Sequence, residues 1–405
     1  MHDLGHTVMI TQFRINHFKS LMMKKPVTLN PGLNLMIGLN SSGKSTFLQA
    51  IDFVSALPRF GGYRSWLDKR GWEAKDLACR VKSGPRSRSM PLIEFEAVYE
   101  EPGDHLPYQW SGAFSVGEGR CETEKLNHGA WRYEYAKKGE FYVVKDTDFI
   151  DAKPAISPLS FHYEGSFFSI FESEKIQGFR KLASNCYSLD LLSPQQMRAH
   201  VRRRSEAGVG TGGELLGHAL LDLSESEAEK LAVVMRRFHP VYESFDVKKQ
   251  RGGSVRFSIN EKFADGISRL ETEATHISDG LLRLIAIIVS TMRCRGGTLL
   301  IDELEDGLNP EVMEPLLHYL AYDAGCQTIV TTHSPILLSY LNDEQAHQAV
   351  KLLFKDEAGM SRCVPFFDLP TTRKMLDTLY PGEVMLQCDL NNLSKEACAY
   401  AENQQ

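Results

Sequence analysis

The spacing of apolar residues changes several times along the chain, and each change predicts an element. "GLNLMI" (32–37) is a short apolar run behind Pro31, the pattern of a buried strand. Thr46, Phe47, Ala50, Ile51 and Val54 then recur at three- and four-residue spacing until Pro58, which predicts a helix. Ahead of this pair, "ITQFRINHFKSL" and "PVTLN" complete a first unit over 10–57. From 59 to 90 the pattern dissolves into glycine-rich and basic chain. Period-two alternation returns in "PLIEFEAVYE" (91–100) and "WRYEYAKKGEFYVVKD" (131–146). These predict antiparallel strands, the second stretch being a hairpin that turns at Lys137, Lys138 and Gly139.

Residues 155–240 carry little strand signal and several helical stretches, including "SPQQMRAHVRRRSEAG" and "ELLGHALLDLSESEAEKLAVVMRRF". The latter predicts two helices broken near Ser224, where "SESE" supplies a capping box. "SVRFSI" and the chain up to Thr275 are expected to lead back into the core. From 276 to 356 helix and strand patterns alternate, which indicates a parallel sheet covered on both faces. The expected fold class is α/β, a central, mostly parallel sheet with flanking antiparallel strands and a helical insertion. Its expected parts are 1–154, a helical lid over 155–240, and 241–405.

Composition narrows the setting. The 405 residues are 42% hydrophobic and 24% charged, enough apolar material for a large core. A formal charge of −6 gives no global attraction to nucleic acid, so any such contact needs a local patch. Eight cysteines lie scattered with no C-x-x-C pair, which reads as reduced thiols in a cytoplasmic protein. No signal peptide is evident, and "LLRLIAIIVSTM" is too short and too interrupted to cross a bilayer.

Chemistry concentrates in four stretches. Gly38, Gly43, Lys44 and Ser45 satisfy G-x-x-x-x-G-K-[ST] between the predicted strand and helix. Glycines let the chain turn so that its amides converge on an anion, and the helix start adds unpaired N–H groups. In this setting Lys44 would reach the β- and γ-phosphates of a triphosphate and the Ser45 hydroxyl would ligate magnesium. In "TLLIDELEDGLNP" an apolar strand ends in Asp302 and Glu303, placed to hold magnesium and to deprotonate an attacking water. In "QTIVTTHSP" His333 follows another apolar strand at the same sheet end, placed to sense the third phosphate. In "HISDGLLRLIAII" Ser278, Asp279 and Gly280 open a helix, which a capping role explains but which also makes a second anion site.

This order of parts resembles the ABC-type ATPases of the SMC/RecF group, and more narrowly the AAA-labelled, OLD-like ATPases of bacterial genome maintenance and phage defence. "HFKSL" (17–21) is similar to the family's opening stretch, "GLNSSGKST" to its Walker A, "LLIDE" to its Walker B, "EDGLNP" to its D-loop, "TTHSP" to its switch histidine and "ISDGLLR" to its variant signature. The resemblance covers roughly 10–57 and 210–385. It implies an ABC-type P-loop head with ATP and Mg2+ as cofactors. Phosphates would be held by Gly38, Asn40, Ser41, Ser42, Gly43, Lys44, Ser45 and Thr46, with Lys19 touching the nucleotide. Ser45 and Asp302 would hold the metal, Glu303 would be the catalytic base and His333 the sensor. Ser278, Asp279 and Gly280 would cap the ATP of a second head, so the chain would form a homodimer around sandwiched ATP, with larger assemblies open. One part is missing: Gln49 lies inside the first helix and Gln177 lacks a preceding strand, so no Q-loop glutamine is assigned.

The expected function is an ATP-driven dimerisation switch, the regulatory ATPase of a bacterial anti-phage defence complex with a nuclease or toxin effector subunit. The alternative is a DNA-repair ATPase that binds DNA directly. A self-contained nuclease would need a further acidic metal cluster after His333, and "VPFFDLPTTRKMLDTLYPGEVML" shows none. "SDG" and the "HFKSL" opening argue against a transporter subunit. Two basic stretches, "YRSWLDKRGWEAKDLACRVKSGPRSRS" with Trp66 and Trp72 interleaved and "RAHVRRR" (198–204), are candidates for DNA or RNA contact; solvated loops are the bland alternative. No membrane partner is expected.

Overall fold

The computed structural model describes residues 9–79, 92–101, 106–136, 140–145, 163–171, 173–190, 192–199, 201 and 208–403. The expected hairpin turn at 137–139 and most of the basic stretches at 80–89 and 200–204 lie outside these residues.

One 14-stranded sheet runs through the described chain. At one end five strands lie parallel, in the order Cys186–Leu189, Thr298–Ile301, Gln327–Thr331, Leu33–Ile37 and Val350–Lys355. Ser361–Pro365 turns back antiparallel on the last of them. Through Leu21–Met22 the sheet then continues into an antiparallel lobe of Met9–Phe18, Ile93–Glu100, Tyr108–Ser115, Arg120–His128, Trp131–Ala136 and Glu140–Lys145. The fold is thus the expected α/β arrangement, with a parallel core and flanking antiparallel strands.

The parallel strands read as continuous apolar runs because both their faces are covered. Leu35, Ile37, Leu299, Ile301 and Val330 belong to one buried cluster, and Met36, Leu300 and Ile329 to the other. The helix Lys44–Ala56 packs Phe47, Ile51 and Phe53 into the second cluster. The helix Asp279–Arg293 packs Leu282, Ile285 and Val289 into the first. Alternate residues of each strand therefore serve different helices.

One expectation needs correction. Cys186–Leu189, inside the stretch expected to be a helical lid, is an edge strand of the main sheet, paired in parallel with Thr298–Ile301. Four residues in "CYSL" are too few to show a period, and it is the pairing that makes them a strand. Around it the stretch is helical, and Leu216–Leu221 and Glu225–Met235 do break at Ser224, with a capping box to Glu227. "SVRFSI" does return to the core as expected: it belongs to a separate three-stranded sheet of Tyr242–Lys249, Val255–Lys262 and Arg269–Glu273, and its Phe257 and Ile259 are buried members of the first cluster. Among the described residues no helix is long and apolar enough to cross a membrane.

Candidate functional site

The strand Leu33–Ile37 delivers the chain into a loop that closes on the helix Lys44–Ala56. Gly38 has φ +145°, and a Cβ there would stand 2.1 Å from the Leu353 carbonyl oxygen, so the chain leaves this interior strand's end only through a glycine. Ser41 is left-handed at φ +62°, and Gly43 opens the helix at φ +108° with no side-chain cap. No acidic side chain occupies the first turn, so its N–H groups and the positive end of the helix dipole face the loop uncompensated.

Lys44 is buried, with its ammonium donating at 3.0 Å to the Gly38 carbonyl and at 3.0 Å to the Leu39 carbonyl. Burial lowers its pKa to about 8, against the opposing pull of Asp302, Glu303 and Glu305. The Ser42 hydroxyl is buried with no hydrogen-bond partner. A lysine folded onto its own loop carbonyls and an orphaned hydroxyl beside it fit a cradle whose acceptors come from a phosphorylated ligand.

Ser45 donates from its hydroxyl to Asp302 Oδ1 at 3.1 Å, joining the phosphate loop to the end of Thr298–Ile301. Asp302 also accepts from the Thr331 hydroxyl, and its own amide donates to the Leu189 carbonyl at 3.2 Å. The phosphate-loop helix and one neighbouring strand end thus hold the carboxylate, and a second strand end holds its backbone. Its pKa is raised by burial, offset in part by the Thr331 and Ser45 hydroxyls, and raised further by Asp190 and Glu303. Hard oxygen donors converging beside a phosphate loop suit Mg2+, with Ser45 and Asp302 as the side chains that would hold it.

Glu303 is exposed and left-handed at φ +50°, a strained conformation for a residue with a Cβ. Its amide donates to the Thr331 hydroxyl at 2.8 Å, so one threonine positions both Asp302 and Glu303. His333 is exposed just beyond the same strand, and its amide donates to Glu305 Oε1 at 2.6 Å. The other Glu305 oxygen is buried without a partner.

Ser278 caps the helix Asp279–Arg293, accepting from the Leu281 amide at 3.4 Å, and stands exposed beside Asp279. Asp279 pairs with Arg198 at 2.6 Å. A Cβ on Gly280 would lie 2.9 Å from the Gly307 carbonyl oxygen, and Arg283 pairs with Asp306 and donates to the Leu192 carbonyl at 2.7 Å. The helix Asp279–Arg293 and "EDGLNP" thus pack together, and the latter follows Asp302 and Glu303 directly in the chain.

Lys19, also left-handed at φ +50°, donates from its ammonium to Gln49 at 2.9 Å and stands 3.6 Å over the Trp72 ring, which ties it to the phosphate-loop helix. Trp66 is not a surface aromatic. It is 3% exposed, with its Nε1 donating to Asp52 at 2.8 Å, on a helix Gly62–Arg70 that the dissolved pattern of 59–90 did not predict. Arg70 is equally occupied, bridging Asp52 at 2.7 Å and Asp190. The interleaved-aromatic reading of this stretch fails at these residues, because the ring and the guanidinium build the core around Asp52.

Sequence reasoning missed Thr331, Glu305, Arg70 and Asp190. Thr331 and Glu305 sat inside the recognised motifs, and the available signals were a hydroxyl at a site strand's last residue and a further carboxylate four residues past the other strand. Asp190 follows the unpredicted edge strand Cys186–Leu189, next to Asp302's strand, so nothing in the sequence placed it.

Residues 224–339 match the family described as "AAA domain, putative AbiEii toxin, Type IV TA system". No curated protein matches the chain. Among solved structures the chain is similar to an Smc head bound to the C-winged helix domain of ScpA, at 14% identity and TM-score 0.48 over 88% of this chain and 96% of that one. The SMC head domain from Thermotoga maritima gives 13%, 0.45, 88% and 98%, and an Smc head with coiled coil and joint from Pyrococcus yayanosii 12%, 0.47, 92% and 99%. Its motif order, its parallel core and its antiparallel lobe give the chain an α/β P-loop architecture, and residues 224–339 carry its likeness to the AAA domain family.

Proposed function

We propose that the chain binds ATP with Mg2+ in the 38–46 loop and hydrolyses it. The observation that carries this reading is the Ser45–Asp302 hydrogen bond, which joins a phosphate cradle to a buried carboxylate at the adjacent strand end. Ser45 and Asp302 would hold Mg2+, which would supply positive charge to offset that of the phosphates. Lys44 would exchange its two loop carbonyls for phosphate oxygens. Glu303, exposed and held by Thr331, would take a proton from the attacking water. His333, whose amide is fixed by Glu305, would report the third phosphate.

The exposed Ser278, Asp279 and Gly280 would cap the ATP held by a second copy, so that ATP glues two heads and hydrolysis releases them. We assign this switch to a regulatory ATPase of a bacterial defence system acting with a toxin or nuclease effector. Support comes from the toxin–antitoxin description of the family matched over 224–339. The burial of Trp66 and Arg70 weighs against the alternative of direct DNA binding through that stretch.

Glu303→Gln separates binding from chemistry. ATP affinity measured calorimetrically should stay within about threefold of the parent, while steady-state phosphate release should fall about 100-fold or more, the size expected for a lost general base. Undiminished phosphate release would remove Glu303 from the base role.

A further inference from the structure

A second cavity lies apart from the phosphate loop. It encloses about 530 Å³, within the range of small-molecule sites, between the segment 23–31, the start of Val350–Lys355 and the C-terminal helix. Its lining includes Lys24, Lys25, His347, Lys351 and Arg362 against one carboxylate, Asp368. No phosphate-loop, Asp302 or signature residue contributes to it.

Lys351 is the anomaly. It occupies a central strand between Val350 and Leu352, where an apolar residue is the rule, and it is 5% exposed. Its ammonium donates to the Gln348 carbonyl at 2.8 Å, and no salt bridge joins it to a carboxylate among the described residues. Burial lowers its pKa, with Cys363 and Asp368 opposing. Asp368 is drawn instead toward His347 at 3.5 Å and the Tyr400 hydroxyl at 3.3 Å. Arg362 is paired with Asp356 at 2.7 Å, and Lys24 is 3.6 Å from the exposed Glu402. A buried ammonium without a counter-charge is costly, and an anion in the cavity would supply one.

We propose that this cavity is an anion site for a small phosphorylated molecule, separate from the nucleotide site. Arg362, Lys24 and His347 already face carboxylates, so Lys25 and the buried Lys351 are the lining cations that an anionic ligand would neutralise. Among the described residues no Phe, Tyr or Trp lines the cavity, and its one imidazole, His347, faces Asp368 at 3.5 Å, so base stacking is not the built-in mode of recognition. Recognition therefore falls on the phosphate, and a half-open cleft of about 530 Å³ is of the size that takes a small molecule.

The test uses inorganic pyrophosphate as probe and thermal unfolding as readout, at ionic strength matched with sodium chloride. Lys44→Ala serves as the starting protein, because it disables the phosphate loop. Pyrophosphate should raise its unfolding temperature, and adding Lys351→Met should weaken the apparent affinity about tenfold or more, the loss expected for one charge-assisted hydrogen bond. Lys25→Gln, at an exposed position, should weaken it about threefold and guards against a folding defect in Lys351→Met. Absence of stabilisation in Lys44→Ala, or stabilisation unchanged by both cavity substitutions, would overturn the site. Binding of a single-stranded oligonucleotide without any response to pyrophosphate would overturn it too.

Discussion

Lys44 shows how one residue joins fold and chemistry. The residue is recognisable from its spacing to Gly38, but its environment is not: burial brings its pKa to about 8, into reach of ordinary buffers. A group whose folded pKa is depressed takes up a proton when an anion binds beside it. ATP binding at pH 8–9 should therefore be accompanied by proton uptake of up to about one, vanishing below about pH 7. Calorimetry in two buffers of different ionisation enthalpy measures this directly. Proton release, or no exchange across the range, would show that Lys44 does not meet the phosphate. Asp190 illustrates the opposite case, a carboxylate that only tertiary pairing brings toward Asp302.

At the scale of elements, long and strongly periodic stretches were legible. The phosphate-loop strand and helix, the signature helix and the Ser224 break follow from apolar spacing and caps. Short elements were not. Cys186–Leu189 and Gly62–Arg70 exist because partners complete them: Asp52 binds Trp66 and Arg70, and Thr298–Ile301 pairs the strand. The antiparallel lobe has its own buried lock. Glu124 accepts from the Ser166 hydroxyl, the Phe167 amide and the Trp110 indole, fastening 163–169 to Arg120–His128. Burial raises its pKa to about 7 despite these bonds. With a folded pKa above the unfolded one, its contribution is fully present below about pH 4.5 and is lost as pH rises through about 7. Thermal unfolding of Glu124→Gln should show a shallower decline between pH 5 and 7.5 than the parent protein; parallel curves would mean that Glu124 stays ionised in the fold.

Across the whole molecule, the 14-stranded sheet lets one head bring together the cradle, the metal-site carboxylate, the candidate base and the sensor. The signature is fastened to the same unit through Gly280 and Arg283, yet Ser278 and Asp279 face solvent. An exposed helix start, packed against the loop that follows the candidate base, is what a second head's ATP would meet in the proposed dimer. Whether a signature serves its own chain or a neighbour is not written in spacing, because oligomeric contacts leave no period in a sequence.

Light scattering on Glu303→Gln with ATP and Mg2+ tests the dimer most directly. The mass of the 45.6 kDa chain should double on adding ATP, and should not change when Ser278→Arg is combined with Glu303→Gln, although ATP still binds. A mass that stays single in Glu303→Gln, or one that doubles despite Ser278→Arg, would contradict the proposed ATP-glued pair of heads.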